Sequence, residues 1–215
     1  MFVKNEMSTH PVTITPDRPI FEAKQIMKEN GIRHLPVVTP KDELVGLITR
    51  TSLNETMPSR LTTLSVWEIN YELNKIKVQD AMLRKVITIT EDVPIEKAAR
   101  VMLEERIGSL PVVRGKRLIG IITDVDLMRC MVELLGAREP GVRVTMKVPD
   151  EEGQLSKVTT VIAEQSGYIA ALGTYPADDP MKWWLVTKVR HVDQETLVAA
   201  ISTLDEVEIV DVRLE

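Results

Sequence analysis

The segment Thr123-Asp124-Val125-Asp126 comes closest, in residue types and spacing, to a ligand site. It ends an apolar β-branched run and opens a helical pattern, so it stands at a helix N-terminus. Backbone N–H groups without intrahelical partners, and the positive end of the helix dipole, favour a phosphate there. A carboxylate at Asp126, one turn in, can accept hydrogen bonds from both hydroxyls of a ribose. The same residues also read as a cap, with Thr123 as N-cap and an acid at the third helical position. Asp124 and Asp126 do not make a metal pair, because they point in different directions and lack further ligands. The stretch from Gly108 to Lys116 imitates a phosphate-binding glycine loop. Its glycines are too far apart, and Arg117 stands where a hydroxyl residue is required. Asp178-Asp179-Pro180 reads as a turn. No paired acid–base or nucleophile constellation emerges, so the expectation is a protein that is not an enzyme.

Composition narrows the choice further. With 215 residues the chain can form one large domain or two to three small ones. Apolar residues make up 44% and charged residues 27%, ordinary values for a soluble globular protein. Lys plus Arg is 27 against 32 for Asp plus Glu, a net charge of −5 with no basic run, which argues against nucleic-acid binding. His10, His34 and His191 lie far apart and Cys130 is the sole cysteine, so neither a metal cluster nor an internal disulfide is expected. Apolar runs are too short to span a bilayer and the opening MFVKNEMSTH is no signal peptide, so a cytoplasmic protein without a membrane partner is expected.

The elements that position Asp126 come from an internal repeat. A shift of 75 residues pairs 7–38 with 82–113, and 15 of those 32 pairs are identical. After a one-residue deletion, LVGLIT (44–49) faces LIGIIT (118–123). Each copy reads as β-α-β-β-α. Residues 12–15 and 87–90 are β-branched runs, expected as strands. Pro19 and Pro94 suit a helix start, followed at helical spacing by Ile20, Ala23 and Met27 and by Ile95, Ala98 and Met102. Gly31 offers a left-handed stop to the first of these helices. Two strands and a second helix, from about Thr49 and Thr123, complete each copy.

Between the copies, residues 61–76 read as an extra helix whose apolar residues cover more than one face. It is either a linker packed on the pair or a dimer contact through Trp67 or Tyr71. GAREPG (136–141) punctuates the chain, and a different unit follows. Val142, Val144, Met146 and Val148 alternate as a strand, and Leu155, Val158 and Ile162 mark a helix. Strands at 168–175 and 182–189, a helix capped by Asp193 and a strand at 207–212 give βαββαβ, the ferredoxin-like order. Trp183-Trp184 reads as core plus dimer surface.

The repeated unit opens with Met and then Val-Thr-Ile, continues through LPVV and ends in G-x-x-T-x-x-D. It resembles the CBS domain, and two in tandem resemble a Bateman module. The last unit, with VPDEEGQL (148–155) between strand and helix, resembles an ACT domain. The expected layout is α/β: CBS repeat 1 over 1–60, a linker helix over 61–77, CBS repeat 2 over 78–138 and an ACT-like unit over 139–215. Together the order is similar to that of the acetoin-utilisation proteins.

This resemblance implies a non-enzymatic regulator with no catalytic cofactor. Its CBS pair would bind an adenosine-containing ligand (AMP, ADP, ATP, S-adenosylmethionine or NAD) in clefts between the copies. Asp126 would hold the ribose and Thr123 would approach phosphate. The base would lie against Lys85, Val86, Ile107, Gly108 and Ser109, with Arg33 and His34 as phosphate candidates. Copy one has Thr49-Arg50-Thr51-Ser52 in place of the motif, so Thr49 and Ser52 mark a second, weaker cleft. Ser52 can cap or make one hydrogen bond, but it cannot act as a charged double acceptor. Asp150 and Gly153 mark a candidate ligand turn in the ACT-like unit, though Tyr168-Ile169 stands where the family often has asparagine. That departure favours dimerisation over amino-acid binding. A homodimer is expected, acting on a protein target that the sequence leaves unknown. The competing reading is a ligand-free dimeric scaffold.

Overall fold

The computed structural model describes residues 1–56 and 75–215. Most of the helix expected over 61–76, including Trp67 and Tyr71, lies outside the described residues. The chain divides into two compact units, Met1–Leu127 and Met128–Glu215.

In chain order the first unit contains α1 (Val3–Glu6), β1 (Ser8–Thr9), α2 (Ile20–Glu29), β2 (His34–Val38), β3 (Leu44–Thr49) and α3 (Arg50–Thr56). Then come α4 (Val78–Ala81), α5 (Ile95–Glu105), β4 (Ser109–Arg114), β5 (Arg117–Thr123) and the start of α6 (Asp124–Leu134). Helix α2 buries Ile20, Ala23 and Met27, and α5 buries Ile95, Ala98 and Met102, the one-sided stripe that the spacing predicts. The hairpins β2–β3 and β4–β5 are antiparallel and carry a register shift at matching places, between Val37 and Val38 and between Val112 and Val113.

The strands expected at 12–15 and 87–90 are reduced to single parallel bridges, Ile14 to Val37 and Ile89 to Val112. Proline is the reason. Ile14 N–H donates to Pro36 O, and Val38 N–H to Ile14 O. The next rungs in either direction would need an N–H from Pro36 or Pro16, and neither has one. In copy two, Pro111 closes the same ladder on one side.

The two copies exchange their leading segments. Val3 of α1 is fully buried in the core of copy two, with Ile89, Ala98, Met102, Leu110 and Ile122. Val78 of α4 is buried in the core of copy one, with Ile20, Met27, Leu35 and Ile48. Strand β1 then pairs with β5 (Ser8 to Ile121, Thr9 to Gly120), and Leu83 bridges to Leu47 of β3. Glycine permits both crossings. A Cβ at Gly120 would lie 2.6 Å from Met7 Sδ and 3.1 Å from Ser8 O, and one at Gly46 would meet Met82 Sδ and Leu83 O. This exchange decides which residues face each other across the repeats.

The second unit contains the rest of α6, then β6 (Val142–Pro149), α7 (Gln154–Glu164), β7 (Tyr168–Pro176), β8 (Lys182–Arg190), α8 (Gln194–Ile201) and β9 (Glu208–Leu214). Its antiparallel sheet has the order β7-β8-β6-β9, the βαββαβ arrangement expected from the pattern. Val142, Val144, Met146 and Val148 face Val158, Ile162, Leu197 and Ile201 in the core. Asp193 caps α8, its Oδ1 accepting from Thr196 N–H at 2.8 Å. Trp183 packs on this core. Trp184, next in the strand, points to the other face, where it stacks with Tyr175 (centroids 6.1 Å apart) beneath Lys147.

Candidate functional site

The repeat builds two clefts of the same plan, one at the start of α6 and one at the start of α3. At the first, Thr123 N–H and Oγ1 both donate to Asp126 Oδ2, at 2.9 and 2.7 Å. The capping arrangement is therefore formed. Asp126 is 6% exposed and its side chain lines a cavity of about 420 Å³. Ser8 to Val12, Asn30 to His34, Ile121, Thr123 and Val125 supply the rest of the wall. Arg33 Nη2 donates to Asp124 Oδ1 at 2.8 Å, and the same oxygen accepts from Val125 N–H. Burial holds the His34 imidazole below its ordinary pKa, the Arg33 charge adds to this, and Asp124 opposes it.

At the second cleft the frame recurs with a hydroxyl in place of the carboxylate. Ser52 Oγ donates to Thr49 O at 3.2 Å and accepts from Thr49 N–H at 3.1 Å, while Ser52 N–H donates to Thr49 Oγ1 at 3.1 Å. The cavity here is about 280 Å³, lined by His34, Leu47, Thr49, Thr51, Leu83, Lys85 to Ile87 and Arg106 to Ser109. Ser109 is 3% exposed, and its buried Oγ has no hydrogen-bond partner.

The nine residues expected in the Asp126 site are thus divided. Thr123, Asp126, Arg33 and His34 come together in the first cleft. Lys85, Val86, Ile107, Gly108 and Ser109 gather instead in the second, with Thr49, and His34 lines both. For Lys85 and Val86 the exchange of leading segments is the cause, because it carries residues 8–12 to α6 and 83–87 to the end of β3. Sequence reasoning passed over Ser8 to Val12, Asn30 and Gly31 in the first cleft, and Thr51 and Arg106 in the second. The repeat itself held the signal, since His10 and Pro11 are the counterparts of Lys85 and Val86. Gly108 allows a close approach, as a Cβ there would lie 3.3 Å from both Asp124 Oδ2 and His34 Cε1.

Two further cavities are less suited to a ligand of this kind. One of about 500 Å³ lies where the hairpin turns meet, but its Arg114 and Arg117 already pair with Glu91 and Asp42. In the second unit, Asp150 and Gly153 do line a common cavity of about 240 Å³, with Trp183, Thr174 and Gln154, whose buried Oε1 has no partner. Gly153 is left-handed (φ 84°) at the N-cap of α7, which fits the expected turn. Among the described residues, no group of three or more His, Cys, Asp or Glu could hold a metal ion, and no helix is long and apolar enough to cross a membrane.

A model of the CBS domain matches residues 3–58 and 78–133, the two repeats. L-aspartate semialdehyde sulfurtransferase of Methanocaldococcus jannaschii is 34% identical over 130 residues, 59% of this chain but 22% of that one. Two homoserine O-acetyltransferases match over a similar span, so the chain covers about a quarter or less of these curated relatives. An uncharacterised protein of M. jannaschii is 31% identical over 155 residues, 61% of this chain and 92% of that one. Among solved structures, one from Vibrio cholerae provisionally named acetoin utilization protein AcuB is 27% identical, with a TM-score of 0.54 over 65% of this chain and 96% of its own. The CBS domain pair of protein MJ0100, in complex with 5′-methylthioadenosine and S-adenosyl-L-methionine, is 30% identical, with a TM-score of 0.51 over 65% and 98%. CBSX2 in complex with AMP is 26% identical, with a TM-score of 0.53 over 62% and 97%.

Proposed function

Because the chain belongs to the CBS domain family, we propose that it is a non-catalytic regulator that binds an adenosine-containing ligand in the cleft around Asp126. The observation that carries this reading is a buried carboxylate in the wall of a cavity of about 420 Å³, beside the start of α6. A ribose offers two donors to such a group, and bonds to a charged acceptor exceed neutral ones in strength. The adenosine compounds bound by MJ0100 and CBSX2 share that ribose and support the class of ligand. The enzyme names among the relatives belong to much longer proteins and do not carry over to the matched span.

In this reading the second unit serves as an ACT-like dimerisation module. The outer edge of β7 and the Trp184–Tyr175 surface are the features a partner copy would cover. A role in acetoin utilisation belongs to the same proposal, by likeness to the Vibrio protein, and so does a cytoplasmic setting. A sedimentation experiment at micromolar concentration tests the homodimer, and a species of single-chain mass would end that part of it.

Titration calorimetry with adenosine, AMP, ATP, S-adenosylmethionine and NAD tests the ligand. The parent binds at least one of them, and Asp126→Ala weakens that binding by about ten- to a hundredfold. Ser52→Ala leaves it unchanged. A second reading, a ligand-free scaffold, draws on the local bonds by which Thr123 already engages Asp126. Absence of binding by every compound decides for the scaffold, and full affinity in Asp126→Ala ends the assignment of the ligand to this cleft.

A further inference from the structure

We propose that the end of the β4–β5 hairpin is a binding site for a small dicarboxylate, which Arg114 and Arg117 clamp over an apolar floor. The cavity is distinct from both clefts, although His10 and Pro11 stand in the wall it shares with the first. The assignment goes beyond the adenosine reading of the Asp126 cleft and does not depend on it.

Arg114 and Arg117 are the last pair of the β4–β5 ladder, directly opposite each other across the two strands. Side chains so placed rise from one face with Cβ atoms about 4.5–5.5 Å apart, and like charges opposed in this way destabilise a sheet. The repeat does not require such a pair. In the first hairpin Thr39 and Glu43 hold the same rung, with Thr39 N–H donating to Glu43 O at 2.9 Å. Copy two therefore sets two guanidinium groups side by side where copy one has a hydroxyl and an acid. Both line a cavity of about 500 Å³, inside the roughly 300–1,000 Å³ usual for small-molecule sites. Among the described residues, Asp42 is the one carboxylate in its wall.

Each arginine already holds a carboxylate of the chain itself. Arg114 donates through Nε and Nη2 to Glu91 Oε1, at 3.1 and 2.5 Å, and Arg117 Nη2 donates to Asp42 Oδ2 at 3.0 Å. Planar carboxylates match the guanidinium fork, so these pairs display the chemistry that the two arginines select. The arginine side chains are 73% and 68% exposed, and exposed ion pairs contribute little, so a ligand carboxylate replaces Glu91 or Asp42 at small cost. Two carboxylates on one ligand gain further, because the second binds within a complex the first has formed. Buried Val38 and Leu118, with the partly buried Ile119, give the cavity an apolar floor. That floor suits the carbon spacer of a dicarboxylate and offers nothing to an inorganic polyphosphate. The hairpin tips hold it in place, since Leu118 N–H donates to Asp42 O and Leu44 N–H to Lys116 O, at 2.9 and 3.0 Å.

The test is titration calorimetry on the full chain with succinate, glutarate, acetate and inorganic tripolyphosphate, at low and at high ionic strength. Succinate or glutarate binds the parent, more weakly in high salt, and acetate binds about tenfold less well or worse. Arg114→Thr and Arg117→Glu, each copying the residue of the first hairpin, weaken the dicarboxylate by about ten- to a hundredfold. Both positions are exposed, and a thermal melt close to that of the parent verifies that the fold is kept. Asp42→Asn strengthens binding, because it removes the carboxylate that competes for Arg117, and a gain of affinity cannot arise from unfolding. Asp126→Ala leaves dicarboxylate binding unchanged, so this site and the adenosine reading stand or fall separately. No binding of either dicarboxylate to the parent overturns the proposal. So does unchanged binding in the double variant Arg114→Thr/Arg117→Glu, or tripolyphosphate binding as tightly as the dicarboxylates.

Discussion

The two repeats share a scaffold and differ in what that scaffold displays. Leu35 and Leu110, Ile48 and Ile122, Val37 and Val112 are buried at matching places, and both hairpins shift register at the same step. At the cleft walls the correspondence fails: Asp126 faces Ser52, Gly31 faces Arg106, and His34 faces Ser109. Packing constrains the first set, since interiors tolerate little change of volume. The second set stands at or beside the cavities rather than in the core, where one backbone frame accepts a carboxylate, a hydroxyl or no side chain. A duplicated fold thus keeps its core and remains free to give each cleft its own charge.

The largest effects test the shared half of this comparison. Leu35→Ala and Leu110→Ala each remove a fully buried side chain from a repeat core, at an expected cost of about 2–5 kcal/mol. Urea unfolding should place the two within about 1 kcal/mol of each other, because matched sites lose matched contacts. A wide gap would break the claim that the cores are equivalent.

A smaller effect tests the divergent half. Ser52→Asp installs the acid of copy two in the frame of copy one, where Thr49 N–H and Oγ1 already stand ready to bond it. The installed carboxylate should add a second, weaker binding event for the same adenosine compound. Calorimetry reads this directly, and a single event of unchanged affinity would show that this position does not set the preference of its cleft.

Much of this was legible in the sequence, for reasons that differ by element. Helices α2 and α5 were legible because Ile20, Ala23 and Met27, like Ile95, Ala98 and Met102, recur at a spacing that fits one face of a helix and neither face of a strand. The Thr123–Asp126 frame was legible because it is local, made by residues three apart. The exchange of leading segments was not, since nothing in Met1 to Thr9 indicates that Val3 belongs to the core of the other copy. That single long-range fact moved Lys85 and Val86 away from Asp126. The short runs at 12–15 and 87–90 misled for a different reason. Their β-branched residues fit a strand, but the prolines that limit the ladder lie mostly on the partner strand.

Smaller again is the matched pair at the helix ends. Arg106→Gly should stabilise the protein and Gly31→Ala should destabilise it, each by on the order of 1 kcal/mol, since both places are left-handed. A Cβ at Gly31 meets nothing within 4 Å, so backbone strain alone is measured there. Thermal melts decide, and equal signs would mean that side-chain contacts of Arg106 outweigh its strain.

The smallest effect comes from His34, whose counterpart is Ser109, so that an imidazole enters the pair from one copy only. Burial, with help from the Arg33 charge, holds its folded pKa below the ordinary value of 6.5, and Asp124 only partly opposes this. The unfolded chain therefore binds a proton more readily than the folded one. Stability is fully present above the unfolded pKa and is lost as pH falls through 6.5 toward the folded value. One proton limits the slope to about 1.4 kcal/mol per pH unit, and the partial exposure of the ring keeps the effect below that limit. His34→Ser, which copies the residue at Ser109, should flatten the stability profile in that interval and leave it unchanged at pH 8. Denaturant unfolding at a series of pH values checks it. A slope that survives in His34→Ser would assign the response to other groups and leave the two clefts equal in their sensitivity to acid.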